Sequence, residues 1–524
     1  MADLRMKLLS LAGVATVFAG IAYGQVTVAP NGVSSLPDFI RAEGVTEQIA
    51  DTTVTFTGTS TVPVLATITV FLSPAVPVTS LTVNHASEAV AVSGGVATPG
   101  VISGSVITFT GVSVPQDGGT VTITNIRVNA SMIATGGGIP ASISEEIFTS
   151  GTGVAPTVSP VIPVAYVRNG LGAVTSSGAT SNTICSPVTA ASVNFTVSVS
   201  EAFATAFKEK SSIEDTALDG WFVANTESGY FVTNGGGFAG NIAASGTRIA
   251  VTFANIPAGV TLYVPVTLTS GAGVIQLTNS GTGPFSLVPA SGAASAPPSS
   301  AAVGSSGTVF YEEVANDPAT IETYNIPVYL VSAANAVLLP TTPITATVSL
   351  TPIGSSEVPN FVSNSSTTTV LGSTYVACST TLLFPFVTND SGFETGIAIA
   401  NTTSFGLTAP QAGTCTLSFY GTSSPAPYTT PSPVASGTVW AATATSMTGG
   451  VPGKFSGYVV AKCNFLFAHG FTYISYNFGQ SNGMSMEYLP LEVVDPTDRT
   501  ATTSDPETFQ GPGIAARPVK RTNP

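Results

Sequence analysis

TVTITNIRVNA (residues 120–130) sets threonine against valine and isoleucine in strict alternation until Asn125 breaks it. A period of two sends Val121 and Ile123 to one face of an extended chain and Thr120, Thr122 and Thr124 to the other, the pattern of a half-buried strand. β-Branched side chains suit a pleated surface and are stiff in a helix. The same alternation recurs in TTVTFTG (52–58), ATITVFL (66–72), VITFTGVSV (106–114), SVNFTVSVS (192–200) and RIAVTFANI (248–256), in a chain punctuated by 53 Gly and 37 Pro. The pattern predicts an all-β protein of tandem antiparallel β-sandwiches, immunoglobulin-like or jelly-roll-like in layer plan, with very little helix. One short helix is expected at EAFATAFKEK (201–210), where Phe203, Ala206 and Phe207 have helical spacing.

Charge is scarce. Only 8% of the 524 residues are Asp, Glu, Lys or Arg, against about 25% in an ordinary soluble domain. Threonine and serine take the outward strand positions where other proteins use charge. That composition excludes coiled coils and long charged helices. The balance of 14 Lys and Arg against 28 Asp and Glu, a net charge of −14, excludes a basic nucleic-acid surface. Arg5 and Lys7 open a short basic start, Leu8 to Ala22 is apolar, and AYG (22–24) places small residues before Gln25, the pattern of a secretory signal peptide over residues 1–24. No other apolar run of that length occurs, so the mean hydropathy of +0.41 reads as exported β-structure and not as a membrane-spanning chain.

Turn-rich sequence divides the rest into an N-terminal sandwich (25–152), a middle sandwich (160–353) and a C-terminal sandwich (370–495), followed by a flexible tail (496–524). The Ser/Ala/Pro stretch 289–307 resembles a linker in composition but reads as a loop inside the middle domain, because strands resume after it. VITFTGVSVP (106–115) and IAVTFANIP (249–257) echo one another, which suggests a shared sandwich plan for the first two domains.

The chemistry-bearing residues are few. Cys415 in CTLSFYG and Cys463 in GYVVAKCNF both fall on the apolar phase of a strand and are the favoured disulfide pair; Cys185 and Cys378 are the remaining two, and four cysteines allow three connectivities. CxxC spacing is absent and the chain has only His85 and His469, so a structural zinc site is not expected. Neither histidine sits in a nucleophile motif, and no catalytic residues are assigned. Glu145 with Glu146 and Glu312 with Glu313 are adjacent on strands and point to opposite faces, which argues against paired-carboxylate catalysis. Asp390 and Glu394 in TNDSGFETG offer oxygen ligands that would suit Ca²⁺, although Asn-Asp-Ser-Gly is also plain turn chemistry; otherwise no cofactor is expected. Tyr428 and Trp440 are the aromatic residues read as exposed, and so as a surface on which a polysaccharide could stack; Trp221 is a further aromatic in the middle domain. The GGG runs at 136–138 and 235–237 lack the lysine of a phosphate loop and read as turns.

FIRAEGVTEQIADTTVTFTG (39–58), ITFTGVSVPQDGGTVTITNIRVNAS (107–131), SEAFATAFKEK (200–210), GTRIAVTFANIPAGV (246–260), LLFPFVTNDSGFETGIAIANT (382–402), GTCTLSFYG (413–421) and FSGYVVAKCNFLFAHGF (455–471) together resemble a family of uncharacterised secreted proteins recurrent in acidobacterial genomes. Glu394 departs from the aspartate of that pattern, which argues against a strict metal-ligand role for it. The resemblance implies an exported surface or matrix protein and supplies no mechanism. The expected role is therefore non-enzymatic, structural or adhesive, secreted or at the cell surface, with self-association or other surface proteins as partners. The alternative is a secreted carbohydrate-binding protein. No nucleic-acid partner is expected, and no membrane insertion once the signal is removed.

Overall fold

The computed structural model describes residues 24–83, 86–135, 139–184, 187–210, 226–228, 231–232, 238–239, 242–333, 342–362, 368–376, 378–406, 410–423, 425–449, 455–477, 483–494 and 508–509. Among these the only helices are a three-residue turn, Ala130–Met132, and the four-residue Thr403–Gly406 and Ala444–Met447. The chain is all-β, as its alternation predicts. The helix expected at 201–210 does not form. Strand Phe195–Glu201 runs into a tight turn there, because the Glu201 carboxylate accepts the backbone N–H groups of Ala206 and Phe207 while Phe203, Ala206 and Phe207 turn into the core.

The stretch 120–130 forms strand Gly119–Thr124 and then bends at Asn125, whose φ of +59° lies in the left-handed region that Asn tolerates better than most residues. Its continuation, Arg127–Val128, pairs with Glu47–Gln48 instead. The first unit is one continuous sheet in the order Val101–Ser103, Val106–Val114, Val64–Ser73, Ala141–Thr152, Val154–Val158, Val26–Ser35, Thr52–Gly58, Gly119–Thr124, Val90–Ser93, Val96–Pro99. Val106–Val114, near one end of that order, packs on Val90–Ser93 and Val96–Pro99 at the other, so the sheet folds over into two facing layers. Phe56, Ile68, Val70, Phe109, Val121 and Ile123 fill the space between them. Strand Ile162–Arg168 adds to Ala141–Thr152 and pairs in parallel with Asp38–Arg41. The boundary expected at 152 is therefore too early; sheet hydrogen bonds carry the unit to Arg168.

The middle unit is a sandwich of two sheets. One runs Leu171–Ser177, Phe195–Glu201, Thr323–Ser332, Val260–Pro265, Ser300–Ala302; the other runs Thr267–Ser270, Gly273–Thr278, Thr308–Ala315, Arg248–Ala254, Thr345–Thr351, Thr368–Leu371. Part of the Ser/Ala/Pro stretch is thus an edge strand, Ser300–Ala302. Thr374–Val376 pairs in parallel with Ser181–Thr183, and Tyr375 is buried in the middle core. The boundary expected at 370 consequently moves past Val376.

The C-terminal unit stacks a sheet of Tyr428–Thr429, Cys415–Thr422, Ser456–Cys463, Thr380–Thr388, Leu491–Val494 and Thr508–Phe509 on one of Val439–Thr443, Phe393–Asn401, Ala468–Tyr476 and Met484–Tyr488. Its core holds Phe384, Ile397, Ile399, Leu417, Phe455 and Val459. Thr508–Phe509, inside the expected tail, pairs with Val493 and Val494.

Candidate functional site: a buried charge lattice between two sandwiches

Cys415 and Cys463 lie directly opposite one another on neighbouring strands and form a disulfide. Cys378 is also disulfide-bonded; Cys185 lies outside the described residues, as do His85, Trp221 and both GGG runs. Cys378 follows the strand that pairs with Ser181–Thr183, and Ile184 donates its N–H to the Val376 carbonyl at 3.1 Å, so the two chain segments run side by side up to these positions.

Asp390 and Glu394 are occupied separately. Asp390 is exposed and Oδ1 accepts the Ser391 N–H at 2.7 Å within its own turn. Glu394 accepts the N–H of Thr445 at 3.0 Å and its hydroxyl as well, anchoring the first turn of Ala444–Met447. Among the described residues no three His, Cys, Asp or Glu side chains converge so as to hold a metal ion. Tyr428 and Trp440 stack on each other at 5.9 Å, half-buried against the C-terminal core, and do not form the open pair that the sequence suggests. The exposed aromatics of that unit are others. Tyr420 and Tyr458 lie opposite one another on adjacent strands, rings stacked at 5.0 Å, and Phe386 stands on the next strand. Phe386 also lines an open groove of about 360 Å³ with Thr388, Asp390, Phe393, Ile474 and Met486. His469 is exposed near the start of strand Ala468–Tyr476, opposite Ala400.

The most elaborated polar site was not legible as one. Charged side chains are rare in this chain, and among the described residues thirteen of them are buried. Arg41 is 1% exposed, at the end of strand Asp38–Arg41 in the first unit, and its guanidinium reaches into the second. Nε donates to Glu47 Oε1 at 2.9 Å; Nη1 donates to Glu227 Oε1 at 2.7 Å, Thr247 Oγ1 at 2.7 Å and the Ala206 carbonyl at 3.2 Å; Nη2 donates to Glu227 Oε2 at 3.1 Å. Its planar face lies 4.8 Å from the Phe361 ring. Every N–H edge of the fork is matched, the condition under which arginine can be buried charged. Burial alone would lower the Arg41 pKa, but Glu227 and Glu47 outweigh it and the net shift is upward. Burial opposes the Glu227 charge too, and Arg41 overcomes it, holding that carboxyl below its ordinary range.

The lattice widens from there. Arg127 Nη2 donates to the Glu227 carbonyl at 3.0 Å and Nη1 to the Thr46 carbonyl at 3.1 Å. Arg127 Nε is 3.2 Å from Glu88 Oε1, an ionic contact outside hydrogen-bond geometry. Burial accordingly dominates at Glu88 and pushes it up to about 7 despite Arg127. Lys208 is buried beside the group and burial lowers its pKa, against the pull of Glu47 and Glu227. Neighbouring residues of the same segment fasten the seam: Phe39 packs on Phe203 at 5.6 Å, Glu43 accepts the N–H groups of Gly170 and Leu171, and Val45 donates to the Asn360 carbonyl at 2.8 Å. FIRAEGV (39–45) is therefore a strap from the first sandwich to the second. The available signal was the placement of Arg41 between Ile40 and Ala42, and of Arg127 between Ile126 and Val128, rather than in turns.

Arg248, inside the second sandwich, is buried with less complete pairing: Nε is 2.9 Å from Glu312 Oε2 and Nη2 2.7 Å from the Gly283 carbonyl, while Nη1 has no hydrogen-bond partner. Glu145 differs. It points between Ile143 and Ile147 into the first core, both carboxyl oxygens lack a hydrogen-bond partner, and burial pushes it up to about 7, with the Thr52 hydroxyl near enough only to moderate the shift.

No protein-family model and no curated protein matches the chain. Similar solved structures include the protein described as BspA_C_mut (7% identity, 67% of this chain and 99% of that one, TM-score 0.24). They also include a bacterial ice-binding adhesin (11% identity, 88% and 96%, TM-score 0.18) and the major pilin subunit of Bacillus cereus (7% identity, 90% and 96%, TM-score 0.18). Scores this low carry no argument about fold or function, and the architecture rests on the sheets described above.

Proposed function

We propose that this chain is an exported, non-enzymatic structural or adhesive protein of the cell surface, envelope layer or extracellular matrix. The observation that carries the reading is the inversion of polarity. Arginines and glutamates with defined geometry join sandwich to sandwich, while outward strand positions carry hydroxyl pairs that bridge neighbouring strands: Thr69 with Thr108 at 3.4 Å, Thr252 with Thr308 at 3.0 Å, Thr347 with Thr369 at 2.8 Å and Thr416 with Thr429 at 3.2 Å. Such a surface can approach another with little desolvation of charge, which favours association through faces or edges. No helix among the described residues is long and apolar enough to cross a membrane. Cell fractionation with electron microscopy of the extracellular material tests the proposal: antibody label on the cell surface or in matrix fibres supports it, and a cytoplasmic pool sinks it. Light scattering across concentration tests self-association, which a strict monomer would exclude.

Polysaccharide binding is the second reading. What favours it is the exposed Tyr420, Tyr458 and Phe386 row beside the Asp390 groove, not the Tyr428 and Trp440 pair. Affinity electrophoresis in neutral polysaccharide gels should show retardation that Tyr458→Ala abolishes; equal mobility of both proteins in every gel would end this reading.

A further inference from the structure

Three carboxyls of the middle sandwich meet without a cation. Glu201, Glu313 and Glu322 are each at most 2% exposed. The Tyr324 hydroxyl lies 2.7 Å from Glu313 Oε1 and 3.2 Å from Glu322 Oε2. One hydroxyl hydrogen can serve only one of two acceptors at full strength, so the second contact needs a proton on a carboxyl. Glu322 Oε1 also accepts the Asp317 N–H at 2.8 Å. Gly273 presses against the group: a Cβ there would collide with Glu322 Oε1 and the Tyr324 oxygen. The charged groups facing the cluster are Asp317, from the turn before Glu322, and the three glutamates themselves. The nearby cations are engaged elsewhere: Arg248 with Glu312, Arg41 and Lys208 with Glu47 and Glu227, and Lys210 Nζ with the Ala244 carbonyl.

The cluster is wired to the seam between the first two sandwiches. Glu201 Oε1 accepts the Glu322 N–H at 2.9 Å, and Glu201 Oε2 accepts the N–H groups of Ala206 at 3.2 Å and Phe207 at 3.0 Å. The Phe207 ring stacks on Tyr324, and the Ala206 carbonyl accepts Arg41 Nη1. A hydrogen-bonded route therefore runs from Glu313 through Tyr324, Glu322 and Glu201 to the turn that receives Arg41.

We propose that this carboxyl cluster is a proton-gated clasp: while Glu313, Tyr324 and Glu322 share their protons, Glu322 stays seated on Glu201, the turn 202–207 is fixed and the seam is closed, and ionisation of that group at alkaline pH drives Glu313 and Glu322 apart, unseats Glu201, frees the turn and loosens the seam. Burial, then the neighbouring Glu322 and Glu201, pushes Glu313 up to about 10, and burial pushes Glu201 up to about 7. Both folded-state values lie above the ordinary 4.5, so the stabilisation is complete at acid pH and is lost as pH rises from there through about 7 and then about 10. Because the groups interact, the loss belongs to the cluster and not to one residue.

Hydrogen exchange on the full mature chain, corrected for the intrinsic pH dependence of exchange, tests the clasp. Between about pH 6 and about pH 10 the protection of the Ala206 and Phe207 amides should fall tenfold or more, before that of strand Arg248–Ala254 changes. Glu313→Gln, which keeps the shape and an acceptor but cannot ionise, should retain the protection at the alkaline end, and Glu322→Gln serves if the first variant does not fold. A flat profile in the native sequence, a loss that is simultaneous across the unit, or the same loss in a folded glutamine variant overturns the proposal.

Discussion

At Arg41 a single side chain carries two buried carboxylates, and the consequence of removing it follows from what it leaves. Arg41→Ala strands Glu47 and Glu227 without their shared cation in a site 1% exposed. Breaking a buried pair from one side costs about 3–5 kcal/mol, so denaturant unfolding of the first two sandwiches should shift by that order while the third is unchanged. Glu145 makes the opposite case. Its folded-state pKa is raised by burial to about 7, so its contribution is full below the ordinary 4.5 and is lost as pH climbs through 7. Glu145→Gln should therefore flatten the decline in stability between pH 5 and pH 8, read as denaturation midpoints across pH; an unchanged decline would refute the assignment. Both residues were visible in the sequence, and neither looked important there. Alternation correctly sends Glu145 and Glu146 to opposite faces, but it does not say that Glu145 faces a core without a cation.

Among the elements, the cross-strand pairing of Cys415–Thr422 with Ser456–Cys463 is the best guide to how far pattern alone reaches. Phase placed both cysteines inward, and direct opposition of the two residues allows the bond. The disulfide closes 48 residues of chain, and such a link stabilises by about 2–4 kcal/mol, mainly through the unfolded state. Cys415→Ser with Cys463→Ser should lower the melting transition of the C-terminal sandwich and leave the other two where they are, as differential scanning calorimetry would show. The turn at 202–207 marks the limit of the same reasoning. Phe203, Ala206 and Phe207 have the spacing of a helix, yet the Glu201 carboxylate captures the two amides that a helix would bond internally, and a local side-chain acceptor competes with helix formation in this way.

On the scale of the whole molecule, the first two sandwiches share a buried seam crossed by ion pairs and hydrogen bonds, and they should unfold as one cooperative unit. Calorimetry is expected to resolve two transitions, one for residues up to Val376 and one for the C-terminal sandwich, with the first nearly insensitive to salt because its ion pairs are buried. Three separate transitions would contradict a continuous seam. The sequence by itself determined the strand content, the inward and outward faces and the favoured disulfide, because those depend on local periodicity and phase. Only the tertiary structure decided where the sandwiches begin and end and what the few charges do. Pairing between distant strands sets the boundaries at Arg168 and Val376, and the partners that complete the buried Arg41 include Glu227 and Thr247, more than a hundred residues away, which no local pattern brings to it.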